Sequence, residues 1–207
     1  MNNEERKNHW ENIYKTKGHQ EVSWYQNVPS TSLAFFKEFA VPLDAKIIDI
    51  GGGDSFLVDH LLEMGYQHIS VLDISEAAIN KAKIRLGDKA ILVKWIVADI
   101  TTFEPTEIYD FWHDRAAFHF LTNEDEINHY IAKAKNHIAK NGLFVLGTFS
   151  ETGPTKCSGI EIKQYSEESM SEKIGKYFNK IKCLAVDHLT PFNTVQNFVF
   201  CSFKNSI

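Results

Sequence analysis

The chain has 207 residues, with 22 Lys and Arg against 27 Asp and Glu for a formal net charge of −5, and that length predicts a single domain. Proteins that work on phosphate backbones carry a basic face. The nearest thing to one here, Lys173, Lys176, Lys180 and Lys182, is interrupted by Glu172 and reads as a solvated surface, so DNA, rRNA and tRNA are disfavoured as partners. No apolar run approaches the ~18–20 residues that cross a bilayer, and Met1 to Lys7 lack the apolar segment of a secretory signal. Three separated cysteines without a Cys-x-x-Cys point to a reducing, cytoplasmic setting with no metal site, Cys183 and Cys201 being core residues.

From the amino end, Trp10, Ile13 and Tyr14 have helical spacing, Val22-Ser23-Trp24-Tyr25 follows, and a helix begins near Ser30 or Thr31 with Leu33, Phe35, Phe36 and Phe39. Ile47-Ile48-Asp49-Ile50 is a buried strand that runs into Gly51-Gly52-Gly53, and Asp54-Ser55-Phe56-Leu57 opens the next helix. Glycines there let a ligand approach the backbone, and the helix amino end offers unpaired N–H groups. A dinucleotide fingerprint needs a third glycine where Phe56 stands, which argues against a nicotinamide-dependent reductase. A second strand, 68–72, ends in Asp73-Ile74, and Ser75 starts a helix bearing Ala78, Ile79, Ala82 and Leu86. Asp73 lies about 20 residues past the glycines, where an acid reaches a ribose diol; it equally suits a cap on the helix that follows.

A third strand is predicted over 91–97, ending in Asp99-Ile100, and a fourth over 108–113, leading into Asp114-Arg115. Asn123 starts a helix with Ile127, Tyr130, Ile131, Ala134 and Ile138 on one side, with Glu126 as the expected capping-box partner. Asn141-Gly142 is read as the end of that helix, and 143–149 as strand five. The tail reads as a helix, about 167–175, and two strands, 181–189 and 195–203, joined by Thr190-Pro191-Phe192-Asn193-Thr194. A hairpin symmetric about Phe192 sets Leu184 against Phe200, Val186 against Phe198, Cys183 against Cys201 and His188 against Gln196. Both strands look apolar on both faces, as in a sheet covered on each side.

Asp49-Ile50-Gly51-Gly52-Gly53 resembles the first motif of the class I S-adenosylmethionine-dependent methyltransferases, and Asp73 and Asp99 fall where that family places two further acids. The resemblance covers essentially the whole chain. Within the family the chain is most similar to the thiopurine-methyltransferase-like and protein-lysine methyltransferase groups. The resemblance implies an α/β fold: a doubly wound, seven-stranded, mostly parallel sheet with an antiparallel last strand, helices on both faces and an N-terminal helical lid. One domain, 1–207, would then comprise a lid over 1–40 and a Rossmann-like core over 44–207. It implies S-adenosylmethionine as cofactor and S-adenosylhomocysteine as product. The cofactor would be held by Trp24, Asp49, Gly51, Gly52, Gly53, Ser55, Asp73, Ile74, Asp99, Ile100, His113 and Asp114. Ser55 stands where the family often has its last glycine, and it either caps the following helix or also donates to the cofactor carboxylate. Trp24 and Tyr25 are lid contacts or ordinary helix packing.

Methyl transfer is an in-line displacement at an activated carbon, so alignment alone supplies about 7–11 kcal/mol of the acceleration and neither a nucleophile nor a metal is needed. Asp114, Arg115 and His119 are the candidate catalytic residues, with His113 as a second possible base. Arg115 either recognises a substrate carboxylate or pairs with Asp114 or Asp110. Cys157, Tyr165, His188 and Gln196 are further candidates from the tail. An Asn-Pro-Pro-Tyr-type motif of amino-methylating nucleic-acid enzymes is absent, its position reading His113-Asp114-Arg115-Ala116. The expected acceptor is a small molecule or a protein side chain, with no nucleic acid and no membrane. A non-catalytic S-adenosylmethionine-binding protein on the same fold is the alternative.

Overall fold

The computed structural model describes residues 1–206, which fall into two compact units that divide between Phe103 and Glu104.

In the first unit, α1 (Asn3–Thr16) starts at a capping box in which Asn2 and Glu5 satisfy each other's backbone N–H groups. After α2 (Ser30–Glu38), three parallel strands follow: β1 (Lys46–Ile50), β2 (His68–Asp73) and β3 (Val93–Val97). Helix α3 (Leu57–Glu63) follows β1, and α4 (Glu76–Leu86) follows β2. Strands β1 and β2 are buried along nearly their whole length, with α3 and α4 both packed on β2, consistent with continuous apolar runs in parallel sheets. Strand β3 is shorter than the predicted 91–97. Ile91 and Leu92 belong to a 3-10 turn and stand exposed, so the apolar run overstates the strand.

In the second unit, β4 (Tyr109–Arg115) pairs in parallel with β5 (Ile138–Phe149). Between them runs α5 (Glu124–His137), capped by the Asn123 side chain, which accepts from the N–H groups of Asp125 and Glu126. Its inner stripe, Ile127, Tyr130, Ile131 and Ala134, is fully buried, and each of the larger members contributes about 1.5–3 kcal/mol by burial. Asn141-Gly142 does not end this helix. Strand β5 already begins at Ile138, and Asn141, at φ 66°, kinks the strand inside its run while the side chain of Asn205 ties down the Ile138 carbonyl. A short hairpin, β6 (Lys156–Cys157) with β7 (Ile160–Glu161), precedes α6 (Glu167–Ile174) and was not foreseen.

The closing hairpin is β8 (Asn179–Leu189) and β9 (Val195–Lys204), and all four facing pairs expected from symmetry about Phe192 are present. Strand β9 lies between β5 and β8, antiparallel to both. It is buried from Phe198 to Phe203, whereas β8 alternates with exposed Ile181, Ala185 and Asp187. The expectation that both strands are covered on both faces fails for β8 because it is an edge strand. Cys183 and Cys201, expected as core residues of a chain in a reducing setting, are joined by a disulfide. They form a closely spaced antiparallel pair, with Cα atoms 4.1 Å apart.

The strand order is β3-β2-β1-β4-β5-β9-β8, a seven-stranded sheet with one inserted antiparallel strand, as the family resemblance implies. No helix among the described residues is long and apolar enough to cross a membrane.

Candidate active site

The carboxyl ends of β1 and β2 bring Asp49 and Asp73 against the glycine bend. A side-chain carbon on Gly52 would collide with the Asp49 carboxylate and with Val71, and one on Gly53 would collide with the Asp73 carboxylate. Gly53 also has φ 31°, so both space and backbone require glycine there. The bend is held by Gly52 N–H donating to Leu72 O and Ser55 N–H donating to Gly52 O. The Ser55 hydroxyl accepts from Leu57 N–H at 3.1 Å, but the cap position of α3 is Phe56, so Ser55 supports the helix start from one residue before it instead of capping it.

Arg85 on α4 locks this bend from behind. It pairs with Asp54 and Asp59, donates to the Ser55 carbonyl at 2.8 Å, and lies over the Phe56 ring at 4.1 Å. No local signal in the sequence marks it, since its partners lie 26 to 31 residues away.

Asp73 accepts from Ser75 N–H at 2.8 Å, but the cap of α4 is Ser75, whose hydroxyl accepts from Ala78 N–H, so Asp73 orients the cap residue and is not itself the cap. Burial pushes the Asp73 carboxyl up to about 7, with Asp49 and Glu11 adding repulsion against the backbone N–H groups that lower it. Glu11, on α1, accepts from the Ser75 hydroxyl and from Ala77 N–H at the start of α4. Those contacts hold its own carboxyl down despite desolvation. The sequence-based reading missed Glu11 for the same reason as Arg85: its contacts are 64 and 66 residues distant.

Asp99 follows β3. One of its oxygens accepts from the N–H and hydroxyl of Thr101, and Arg6 of α1 lies 3.2 Å from both. Ile100 is buried beside it. Trp24 packs edge-on against Trp10 and against Tyr14, while Tyr25 packs against His19 and Phe56. Both lid candidates thus join aromatic clusters around the bend and α1, and both stay part-exposed, as does Ile74.

The second unit holds the remaining candidates. Asp114 and Arg115 close β4, which runs two residues further than predicted. Asp114 is fully buried. One oxygen accepts from Ala117 and Phe118 N–H at 3.0 Å, and the other accepts from the Tyr130 hydroxyl at 2.7 Å, itself an acceptor for Trp112. Burial raises its carboxyl to about 6 against those donors and the adjacent His113. The three bonds staple the turn after β4, where Ala116 takes φ 66°. Arg115 lies over the Phe198 ring at 4.9 Å, and its charge acts on His119 and Cys157. His119 is completely buried, and burial together with Arg115 pushes its pKa down to about 3. It is therefore a neutral, weak base.

Residues 47–142 match a family model described as methyltransferase domain. Over 107 residues the chain is 35% identical to a malonyl-[acyl-carrier protein] O-methyltransferase of Anoxybacillus flavithermus, covering 51% of this chain and 39% of that protein. Over 121 residues it is 29% identical to an eEF1A lysine and N-terminal methyltransferase of Mus musculus, covering 58% of this chain and 17% of that protein. The chain thus spans well under half the length of these curated relatives. Among solved structures, a SAM-dependent methyltransferase from Anabaena variabilis superposes with a TM-score of 0.77 at 13% identity, covering 99% of this chain and 96% of that one. The N-methyltransferase NodS of Bradyrhizobium japonicum, in complex with S-adenosylhomocysteine, gives 0.73 at 13% identity, covering 97% and 100%. At such identities these likenesses speak for the fold.

Proposed function

We propose that the chain is a class I S-adenosylmethionine-dependent methyltransferase that transfers a methyl group to a small molecule or a protein side chain, a reading supported by the strand order of its sheet and by the methyltransferase domain matched over residues 47–142. The observation that carries this reading is the glycine bend pressed against two buried acids, Asp49 and Asp73, at the ends of adjacent parallel strands. Its chemistry fits the cofactor. A carboxyl held near 7 by burial and by two neighbouring acids gains from a ligand that donates hydrogen bonds and carries positive charge. A ribose diol beside a sulfonium offers both.

In this reading Asp73, with Ile74, takes the ribose hydroxyls. Asp99 and Ile100 take the adenine, with Asp99 shared between the ring amino group and Arg6. Gly51, Gly52, Gly53 and Ser55 lie along the methionine end, Asp49 braces the bend, and Trp24 closes over it from the α1 side. S-adenosylmethionine, when bound, supplies a methyl carbon already activated by a sulfonium. His113, Asp114, Arg115 and His119 are the substrate-side group. Asp114 positions the turn after β4 through its three bonds, and Arg115 and His119 bind rather than move protons, since His119 is so weak a base.

In this proposal residues 1–207 form one domain, with residues 1–40 as the lid. Nucleic acid is not part of this reading: of the four lysines in the basic stretch, Lys173 pairs with Glu124 and Lys180 with Glu167. A cytoplasmic location is the remaining part of this proposal; the Cys183–Cys201 bond argues against a reducing compartment, and protein recovered from cells with that bond fully formed overturns the location.

The test is incubation of the pure protein with methyl-labelled S-adenosylmethionine and, separately, metabolite pools and cell lysate. Label transferred to a discrete acceptor supports the proposal. Tight binding of S-adenosylhomocysteine with no transfer to any pool supports the non-catalytic alternative, and binding of NADH in its place removes both.

A further inference from the structure

His119 holds a buried hydrogen-bond donor with nothing to receive it. The Phe149 N–H donates to its Nδ1 at 3.3 Å. In the neutral ring that bond fixes the proton on Nε2. Nε2 is buried and has no partner. Burying an N–H without an acceptor is costly, so such an atom marks a place that water or a ligand fills.

The surroundings point to a ligand of defined chemistry. Arg115 acts electrostatically on His119, and its guanidinium lies over Phe198. The Phe149 ring is 4.8 Å from His119 and 4.7 Å from Phe198. Along β9, Gln196 lies two residues from Phe198 on the same face, opposite His188 of β8, and its Oε1 is a second buried atom without a partner. One end of this cluster therefore presents a cation and a neutral N–H donor, and the other presents a bare acceptor. The β6–β7 hairpin brings buried Cys157 under the charge of Arg115, and Lys163 N–H donates to the His119 carbonyl as the chain returns from that hairpin.

We propose that this cluster binds a small hydroxy- or amino-carboxylate, whose carboxylate accepts from His119 Nε2–H and Arg115 and whose hydroxyl or amino group donates to Gln196 Oε1. That the ligand is also the methyl acceptor rests on the methyltransferase reading above; the binding does not.

The experiment is an NMR titration of the full chain with para-hydroxybenzoate, para-aminobenzoate and glycolate, with the methyl ester of para-hydroxybenzoate as the uncharged control. At least one acid binds at millimolar concentration with shifts at Arg115, His119 and Gln196, and the ester binds at least about tenfold more weakly than its acid. Arg115→Met and His119→Phe each weaken the acid by about tenfold or more. The ester comparison carries the test should either variant fail to fold. No binding by any acid, or equal binding of acid and ester, overturns the site. A parallel titration with S-adenosylhomocysteine separates the two ideas: acid binding without it leaves this site standing and removes the methyltransferase reading.

Discussion

Asp73 in the first unit and Asp114 in the second are both fully buried carboxyls at the ends of parallel strands, and burial raises both, to about 7 and about 6. Their surroundings differ. Asp114 accepts three hydrogen bonds from its own unit and sits beside His113. Asp73 leans on a glycine bend and faces two other acids, Asp49 and Glu11, with backbone N–H groups as its donors. An acid saturated by its neighbours holds a turn together. One crowded by like charges is poised to take a donor from outside, and the contrast separates a brace from a binding group better than burial or titration does.

The sharpest way to break this contrast is Gly53→Ala. The added carbon meets the Asp73 carboxylate in a backbone conformation that alanine resists. A loss of about 3 kcal/mol in denaturant unfolding is expected, together with loss of S-adenosylhomocysteine binding. Asp114→Asn comes next. It replaces an acceptor of the Tyr130 hydroxyl with an amide donor, and about 2 kcal/mol of stability should go. In the protein that remains folded, S-adenosylhomocysteine affinity should change much less than stability.

The pH response sharpens the comparison from the other side. The Asp73 carboxyl is raised on folding, so its contribution to stability is present below its unfolded value, about 4, and is lost as pH climbs through about 7. The bound ribose diol of S-adenosylhomocysteine, which has no sulfonium, donates to the carboxylate and favours the ionised form, so binding expels a proton. S-adenosylhomocysteine affinity should fall by up to about tenfold per pH unit below about 7 and level off above it, checked by calorimetry in buffers of different ionisation heat. The smallest effect belongs to Arg85→Met, which takes a part-buried cation from Asp54, Asp59 and the Ser55 carbonyl. About 1 kcal/mol of stability and a few-fold of affinity should go with it, measured by thermal unfolding and titration.

The features legible in the sequence were local ones. Period and composition placed α4, α5 and the β8–β9 register, and the order of acids after three strands marked one edge of the first unit. What escaped is non-local or concerns edges. Ile91 and Leu92 look like strand but lie in a turn, where no neighbouring strand takes their backbone. Asn141-Gly142 has the composition of a helix stop and instead bends a strand, because Asn205 from the far end of the chain holds it. Arg6, Glu11 and Arg85 reach their partners across 26 or more residues, and nothing near them in sequence announces it. In the second unit the residue types were right but the roles were not readable. Whether His119 is a base depends on which ring nitrogen is already bonded, and only the Phe149 N–H decides that.

Calorimetric titration of S-adenosylhomocysteine into the wild-type chain and into Asp73→Ala probes the adenosyl site itself. Saturable binding by the first is expected, and at least about tenfold weaker binding by a second that is equally folded. No binding by the wild type, or the same affinity in both, would contradict the assignment of that site.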